Sequence, residues 1–322
     1  MENETSASGG LIRKTDFLFS LSEKRRDRKN DNEDSFAYSL NEERCLLAVF
    51  DGCGGSGAAR YPAMKGKTGA YLASRTVSAA WLDWFDKLPR GAEPDTRQLK
   101  EQVLTWLERC EKSAGEREDT EKSRLSRLPT TAASALCSLG RGGVDVLLQW
   151  AGDSRVYLLD GQGLAQLTED DVGGLDAMEN LTANARLTNA IRLGKGVEIH
   201  SARITMGRPG LLFAASDGCF GYYSTPMEFE HLLLSTLLRS PNAQSWEQEL
   251  QKEIGKTAGD DYTLCGASFG FGSFDALKRQ LARRSDTLYR TYIYGLEECS
   301  PEEKQQLWLH YKDHYQRLLC RG

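Results

Sequence analysis

Leu46-Leu47-Ala48-Val49-Phe50-Asp51-Gly52-Cys53-Gly54-Gly55 is the stretch on which the fold turns. Five apolar residues in a row mark a strand covered on both faces, and the run halts at a carboxylate followed by glycines that allow a sharp turn. An ionised aspartate at the rim of an apolar strand is costly unless a cation stands beside it, so a metal ion or a basic partner is implied. The device recurs at Leu211-Leu212-Phe213-Ala214-Ala215-Ser216-Asp217-Gly218. One such ending is an ordinary turn; two in one domain suggest two carboxylates brought to a shared point.

Composition narrows the classes. A chain of 322 residues with 40% hydrophobic content can bury one large core with appendages. The net charge of -5 offers no general attraction to nucleic acid or anionic lipid, and the basic runs at 24–29 and 278–284 are local exceptions. No apolar segment approaches the roughly 20 residues needed to span a bilayer, and residues 1–10 are polar without a signal-peptide core. The expectation is a cytoplasmic protein with a disordered leader over 1–11, no nucleic-acid partner and no membrane. The cysteines show no C-x-x-C pair and several lie in apolar runs, as reduced core thiols would. His310 and His314 share a helical spacing but have no third ligand nearby, so they do not make a metal site.

Periodicity supplies the elements. Strands are predicted at 16–21 and 36–40, the latter after the juxtaposed basic and acidic run at 24–35. An Ala-rich helix follows over 70–88, with Ala70, Leu72, Ala73, Val77, Ala80, Trp81 and Trp84 at helical spacing; a second spans 96–112. Gly55-x-Gly57-x-x-Arg60 lacks the third glycine of a dinucleotide loop. The charged stretch up to Arg127 reads as a loop or exposed helical extension. Beyond it come strands at 130–139, 144–151 and 155–159, separated by turns at 140–143 and at Gly152-Asp153-Ser154, which imply antiparallel sheet. Residues 169–200 are polar and suit a surface flap. After Asp217, helices at 229–238 and 246–254 precede a last strand at 262–271.

Asn32-Glu33-Asp34, Val49-Phe50-Asp51-Gly52-x-Gly54-Gly55, Thr130-Thr131-Ala132, Ala151-Gly152-Asp153-Ser154-Arg155, Leu167-Thr168, Leu187-Thr188-x-Ala190-x-x-Leu193-Gly194, Ser216-Asp217-Gly218 and Asp260-Asp261-x-Thr263-Leu264 stand in the order expected of metal-dependent (PPM, type 2C) serine/threonine protein phosphatases. The chain resembles a bacterial-style member over residues 12–273. The resemblance implies an α+β fold in which two antiparallel sheets pack face to face between helices, with residues 274–322 a helical extension outside it.

Hydrolysing a phosphate monoester calls for neutralising developing charge and activating water, which two divalent ions roughly 3.5–4 Å apart achieve together. The resemblance implies Mg²⁺ or Mn²⁺, with Asp51 bridging two ions, Asp217 and Asp260 completing one, and Glu33 with the Gly52 carbonyl serving the other, without a phosphoenzyme. Asp34 supports these ligands, and Asp153 is the ligand of a weaker third ion. Three positions depart from the family. Its phosphate-binding arginine falls on Lys29, beside Arg28, and lysine lacks a bidentate fork. Cys53 occupies the place of the histidine of eukaryotic members, and Gly221 that of an acid near the third ion.

The implied partner is a phosphoprotein substrate of a serine/threonine kinase, in signal transduction. The alternative is an inactive phosphatase-fold scaffold or regulatory binding module. In the extension, Phe274, Leu277, Leu281, Leu288 and Tyr292 form an apolar stripe, and Ser300-Pro301-Glu302-Glu303 starts a second helix bearing Leu307, Tyr311, Tyr315 and Leu318. Two helices joined at Gly295 are expected. They either pack on the domain or offer a docking surface.

Overall fold

The computed structural model describes residues 14–26, 31–118, 127–140, 142–174, 176–182, 186–194 and 196–322. In chain order the strands are β1 (Thr15–Glu23), β2 (Ser35–Leu40), β3 (Arg44–Phe50), the short β4 (Arg60–Tyr61) and β5 (Lys67–Thr68), β6 (Arg127–Thr130), β7 (Ala132–Gly140), β8 (Gly143–Ala151), β9 (Arg155–Asp160), β10 (Gly163–Gln166), β11 (Ile191–Leu193), β12 (His200–Met206), β13 (Gly210–Ala215) and β14 (Tyr262–Phe269). The helices are α1 (Gly69–Asp86), α2 (Thr96–Ala114), α3 (Ala177–Thr182), α4 (Pro226–Arg239), α5 (Ala243–Thr257), α6 (Phe274–Leu288) and α7 (Pro301–Tyr315). Two antiparallel sheets, ordered β1-β14-β13-β9-β10 and β12-β8-β7-β3-β2, form the middle of the molecule.

Side-chain alternation assigns each strand face to a layer. On β3, Leu46, Ala48 and Phe50 join Val77, Trp81 and Leu107 of α1 and α2, while Cys45, Leu47 and Val49 point between the sheets. On β13, Leu212 and Ala214 enter the same inter-sheet core; Leu211, Phe213 and Ala215 face Phe229, Leu233 and Trp246 of α4 and α5. The continuous apolar runs are thus antiparallel strands with helices on their far faces, so both faces are dry. The predicted helix at 70–88 is α1, capped by the Thr68 hydroxyl on Tyr71 N, and its Trp81 packs edge-on against Phe50 at 5.3 Å.

Two local differences have physical causes. The strand expected over 130–139 is interrupted at Thr131, because Thr130 Oγ1 and Thr131 N both donate to the Asp51 carbonyl, at 2.7 and 2.8 Å, and β6 turns away to pair with β11. The flap region is anchored more firmly than its polar composition implied: Val172, Ile191, Leu193 and Val197 are buried, and Val172 bridges Leu187. The leader and most of the charged stretch before Arg127 lie outside the described residues. No described helix is long and apolar enough to cross a membrane.

The C-terminal helices pack inward. Leu277, Leu281 and Leu288 of α6, Tyr292 in the turn after it, and Trp308, Tyr311 and Tyr315 of α7 are buried in one core with α4, α5 and their sheet. Trp308 is fully buried there and the expected Leu307 packs against the same core half-buried, whereas Leu318 lies beyond the end of α7, 37% exposed. The helices part at Gly295, in the left-handed region at φ 76°, and α7 opens with the expected capping box of Ser300 and Glu303. Buried Glu230 on α4 receives Arg284 of α6 through two bonds of 2.7 Å and the Tyr311 hydroxyl of α7. A carboxylate removed from water is tolerable there because it is fully paired.

His314 sits where it should stay neutral. Arg317 NH1 lies 3.1 Å from its Nε2, and burial, followed by the charges of Arg317 and Arg284, lowers its pKa from 6.5 to about 4. The unfolded chain therefore takes up a proton that the folded state resists. This stabilising contribution is complete above about 6.5 and is lost as pH falls toward 4. His314→Gln should lose less thermal stability than wild type between about pH 7.5 and about pH 4.5. Parallel acid limbs for the two proteins would refute the assignment.

Candidate active site

Strand register gathers the acids at one end of the sandwich. Ser35 lies opposite Phe50, so Glu33 and Asp34 arrive where β3 runs out into Asp51. Ala215 lies opposite both Arg155 and Leu264, which sets Asp153, Asp217 and Asp260 at neighbouring strand ends. Two glycines permit the close approach. A Cβ on Gly52 would come within 2.6 Å of the Glu33 carbonyl oxygen and 2.7 Å of that of Ala70; one on Gly218 would meet the Asp261 carbonyl oxygen at 2.0 Å.

Hydrogen bonds from behind hold the acids in place. Thr68, at the start of α1, donates its hydroxyl to Glu33 Oε1, and Ser74 Oγ donates to the Glu33 carbonyl at 2.6 Å. Ser216 Oγ donates to Asp34 Oδ2 at 2.7 Å and accepts from Thr263 N at 2.9 Å. Asp51 N donates to Thr131 Oγ1 at 3.3 Å, and Thr131 Oγ1 is 2.6 Å from Ser154 Oγ, which ties the end of β3 to the Asp153 turn. Asp171 joins that turn to the flap by accepting from Gly152 N and Asn189 Nδ2, both at 2.8 Å.

The electrostatics are those of carboxylates crowded together. Asp34 is buried, whereas Asp51, Asp153 and Asp217 keep partial contact with solvent. Burial is the largest influence raising Asp51 and Asp153 well above the usual carboxylate range; for Asp51 the charges of Asp34 and Asp217 add to it, for Asp153 those of Asp217 and Asp170. Asp217 is also raised, by burial first, although a side-chain hydrogen bond with Asp51 opposes the rise. The Cys53 thiol is pushed up by burial and then by Asp153 and Asp217, with Arg192 close enough to oppose them, so it stays protonated at neutral pH.

Register thus brings Glu33, Asp34, Asp51, Gly52, Asp153, Asp217 and Asp260 to the same end of the strands. An all-oxygen donor set under mutual repulsion suits a hard divalent cation such as Mg²⁺ or Mn²⁺. Among the described residues, however, no three such side chains converge as a finished metal cage. Lys29 and Arg28 lie outside the described residues. Asp261 was not singled out by the sequence: it is 2% exposed and accepts from Arg25 N at 2.8 Å and Glu33 N at 2.7 Å. Its position beside Asp260, directly before an apolar strand, was the available signal, since an acid there must be either solvated or bonded.

Crowding makes a checkable statement about stability. Because burial and mutual charge disfavour ionisation of this group, Asp51→Asn should raise the thermal midpoint of the protein in EDTA relative to wild type, by up to a few degrees. A midpoint lowered by the substitution would show that the carboxylate is well compensated as it stands.

No family profile and no curated protein matches the sequence at a significant level. Solved structures do match in three dimensions. The serine/threonine phosphatase Stp1 from Staphylococcus aureus is 16% identical with a TM-score of 0.59, over 83% of this chain and 99% of that one. The PPM Ser-Thr phosphatase MsPP from Mycobacterium smegmatis is 20% identical with a TM-score of 0.54, over 80% and 99%. The Mycobacterium tuberculosis serine/threonine phosphatase PstP is 22% identical with a TM-score of 0.53, over 78% and 97%. Two face-to-face antiparallel sheets between helices, with acids gathered at one end of the strands, make the fold of this chain that of the bacterial PPM-type serine/threonine phosphatases.

Proposed function

We propose that this protein hydrolyses phosphoserine and phosphothreonine on proteins with the help of two divalent ions, Mg²⁺ or Mn²⁺, and without a phosphoenzyme. The observation that carries the reading is that Glu33, Asp51 and Asp217 arrive at adjoining strand ends, where burial and the charges of Asp34 and Asp217 hold the Asp51 carboxyl well above the usual carboxylate range. Asp51 would be shared by both ions, Asp217 and Asp260 would hold one, and Glu33 with the Gly52 carbonyl the other. Asp153 would serve a third ion, for which Gly221 supplies no further acid, and Asp34 would steady the group through Ser216. Bound ions of this kind lower the pKa of water and neutralise charge on the phosphoryl group.

The chain's own contribution is positioning. Asp261 accepts from Arg25 N and Glu33 N, which fixes both of those residues beside the acids, and Lys29 and Arg28 are the candidate phosphate-binding side chains. Protonated Cys53 is poorly matched to giving up a proton near neutral pH, which leaves leaving-group protonation to solvent. A cytoplasmic phosphoprotein, made by a serine/threonine kinase in a signalling pathway, is the proposed substrate. The competing reading, a phosphatase-fold binding module without turnover, would be expected to have lost a core acid, and none of Glu33, Asp51, Asp217 and Asp260 is missing.

The purified protein should release phosphate from a phosphopeptide only with Mn²⁺ or Mg²⁺ added, and Asp51→Asn should abolish turnover. Full activity in excess EDTA, or an unimpaired Asp51→Asn protein, would sink the proposal. Lys29→Ala should chiefly raise KM, by about 1–3 kcal/mol in apparent binding, with Arg28→Ala milder. The opposite ranking would move the phosphate contact to Arg28.

A further inference from the structure

We propose that Tyr315 of α7 is a positioning residue for the active centre, acting through Arg155 on the turns that carry Asp153 and Asp217. The inference rests on the phosphatase reading above and assigns the C-terminal helix a part in it.

Arg155 is buried two residues after Asp153, and each of its three side-chain nitrogens donates a hydrogen bond. Nε and NH2 bond the Asp170 carboxylate at 2.9, 3.1 and 2.7 Å, and NH1 donates to the Tyr157 hydroxyl at 3.2 Å and the Tyr315 hydroxyl at 3.3 Å. The guanidinium carbon lies over the Phe220 ring, 4.3 Å from its centre, and Phe220 N donates to the Asp217 carbonyl at 3.0 Å, closing the Asp217 turn. One planar group therefore spans the two acid-bearing turns, and its charge opposes the rise in both Asp153 and Asp217. Tyr315 is 1% exposed and 3.2 Å from the Tyr157 hydroxyl, so its ring has one place to be.

The helix that delivers Tyr315 is itself fastened to the segment bearing Asp170. Trp308 Nε1 and Lys312 Nζ bond Asp176 at 3.0 and 2.9 Å, Arg317 bonds Asp160 at 2.9 Å, and Cys320 N donates to the Leu167 carbonyl at 2.8 Å. The C-terminal segment thus clasps the chain before and after Asp170 while Tyr315 completes the coordination of Arg155. Without that hydroxyl, NH1 retains one partner and the guanidinium can tilt off Phe220.

The test compares Tyr315→Phe with Tyr311→Phe in the full-length protein. Each loses one buried hydroxyl from α7, but the Tyr311 hydroxyl bonds Glu230 where that of Tyr315 bonds Arg155. Tyr315→Phe should lower kcat on a small aryl phosphate roughly three- to tenfold with KM unchanged, and weaken Mn²⁺ binding measured by calorimetry. Tyr311→Phe should lose thermal stability and keep kcat and Mn²⁺ affinity. Equal kcat and Mn²⁺ affinity in Tyr315→Phe and wild type would overturn the inference and leave α7 a purely stabilising element. Wild type without turnover would count against the phosphatase reading alone, and calorimetry would then decide whether Tyr315 acts on the acid cluster.

Discussion

Acids that repel one another must be held together before any of the rest has a purpose. Asp34, Asp51, Asp153 and Asp217 share one end of the sandwich, and burial and neighbouring charge push each of them toward the neutral form. Nothing in local propensity favours that arrangement. It is imposed by the ladders, since a strand paired over six or seven residues cannot withdraw its terminal aspartate without giving up bonds along its length. The sheets hold the acids at the ends while the apolar faces of the same strands keep the sheets together.

That division of labour explains the four layers. A sheet that must be rigid to its last residue benefits from being dry on both faces, and β3 and β13 achieve this by giving alternate side chains to the inter-sheet core and to the outer helices. The polar groups near the acids then act as ties between strand ends. Thr131 links β3 to the Asp153 turn, Ser216 links β13 to Asp34, and Asp261 links β14 to the two flanks of the basic segment. Each tie lies between residues far apart in sequence.

The C-terminal helices belong to the same scheme. Their apolar stripe completes the outer core, so it is not free as a docking face, and their polar residues reach Asp160, Asp176, Glu230 and Arg155. A region expected to be an appendage closes the structure beneath two of the acid-bearing turns.

The sequence alone determined the strands that end in Asp51 and Asp217, the Ala-rich helix α1, the antiparallel meander around the Asp153 turn and the order of the acidic motifs, because periodicity of 2 or 3.6 and glycine turns are written in neighbouring residues. Even the break at Gly295 and the start of α7 were legible, as caps are local. Only the tertiary structure decided that Thr131 would interrupt a strand, that Asp261 would carry two backbone amides and that Tyr315 would meet Arg155. Those outcomes depend on which donors and acceptors register brings within about 3 Å, across separations of up to 236 residues. No periodicity in one chain encodes that distance.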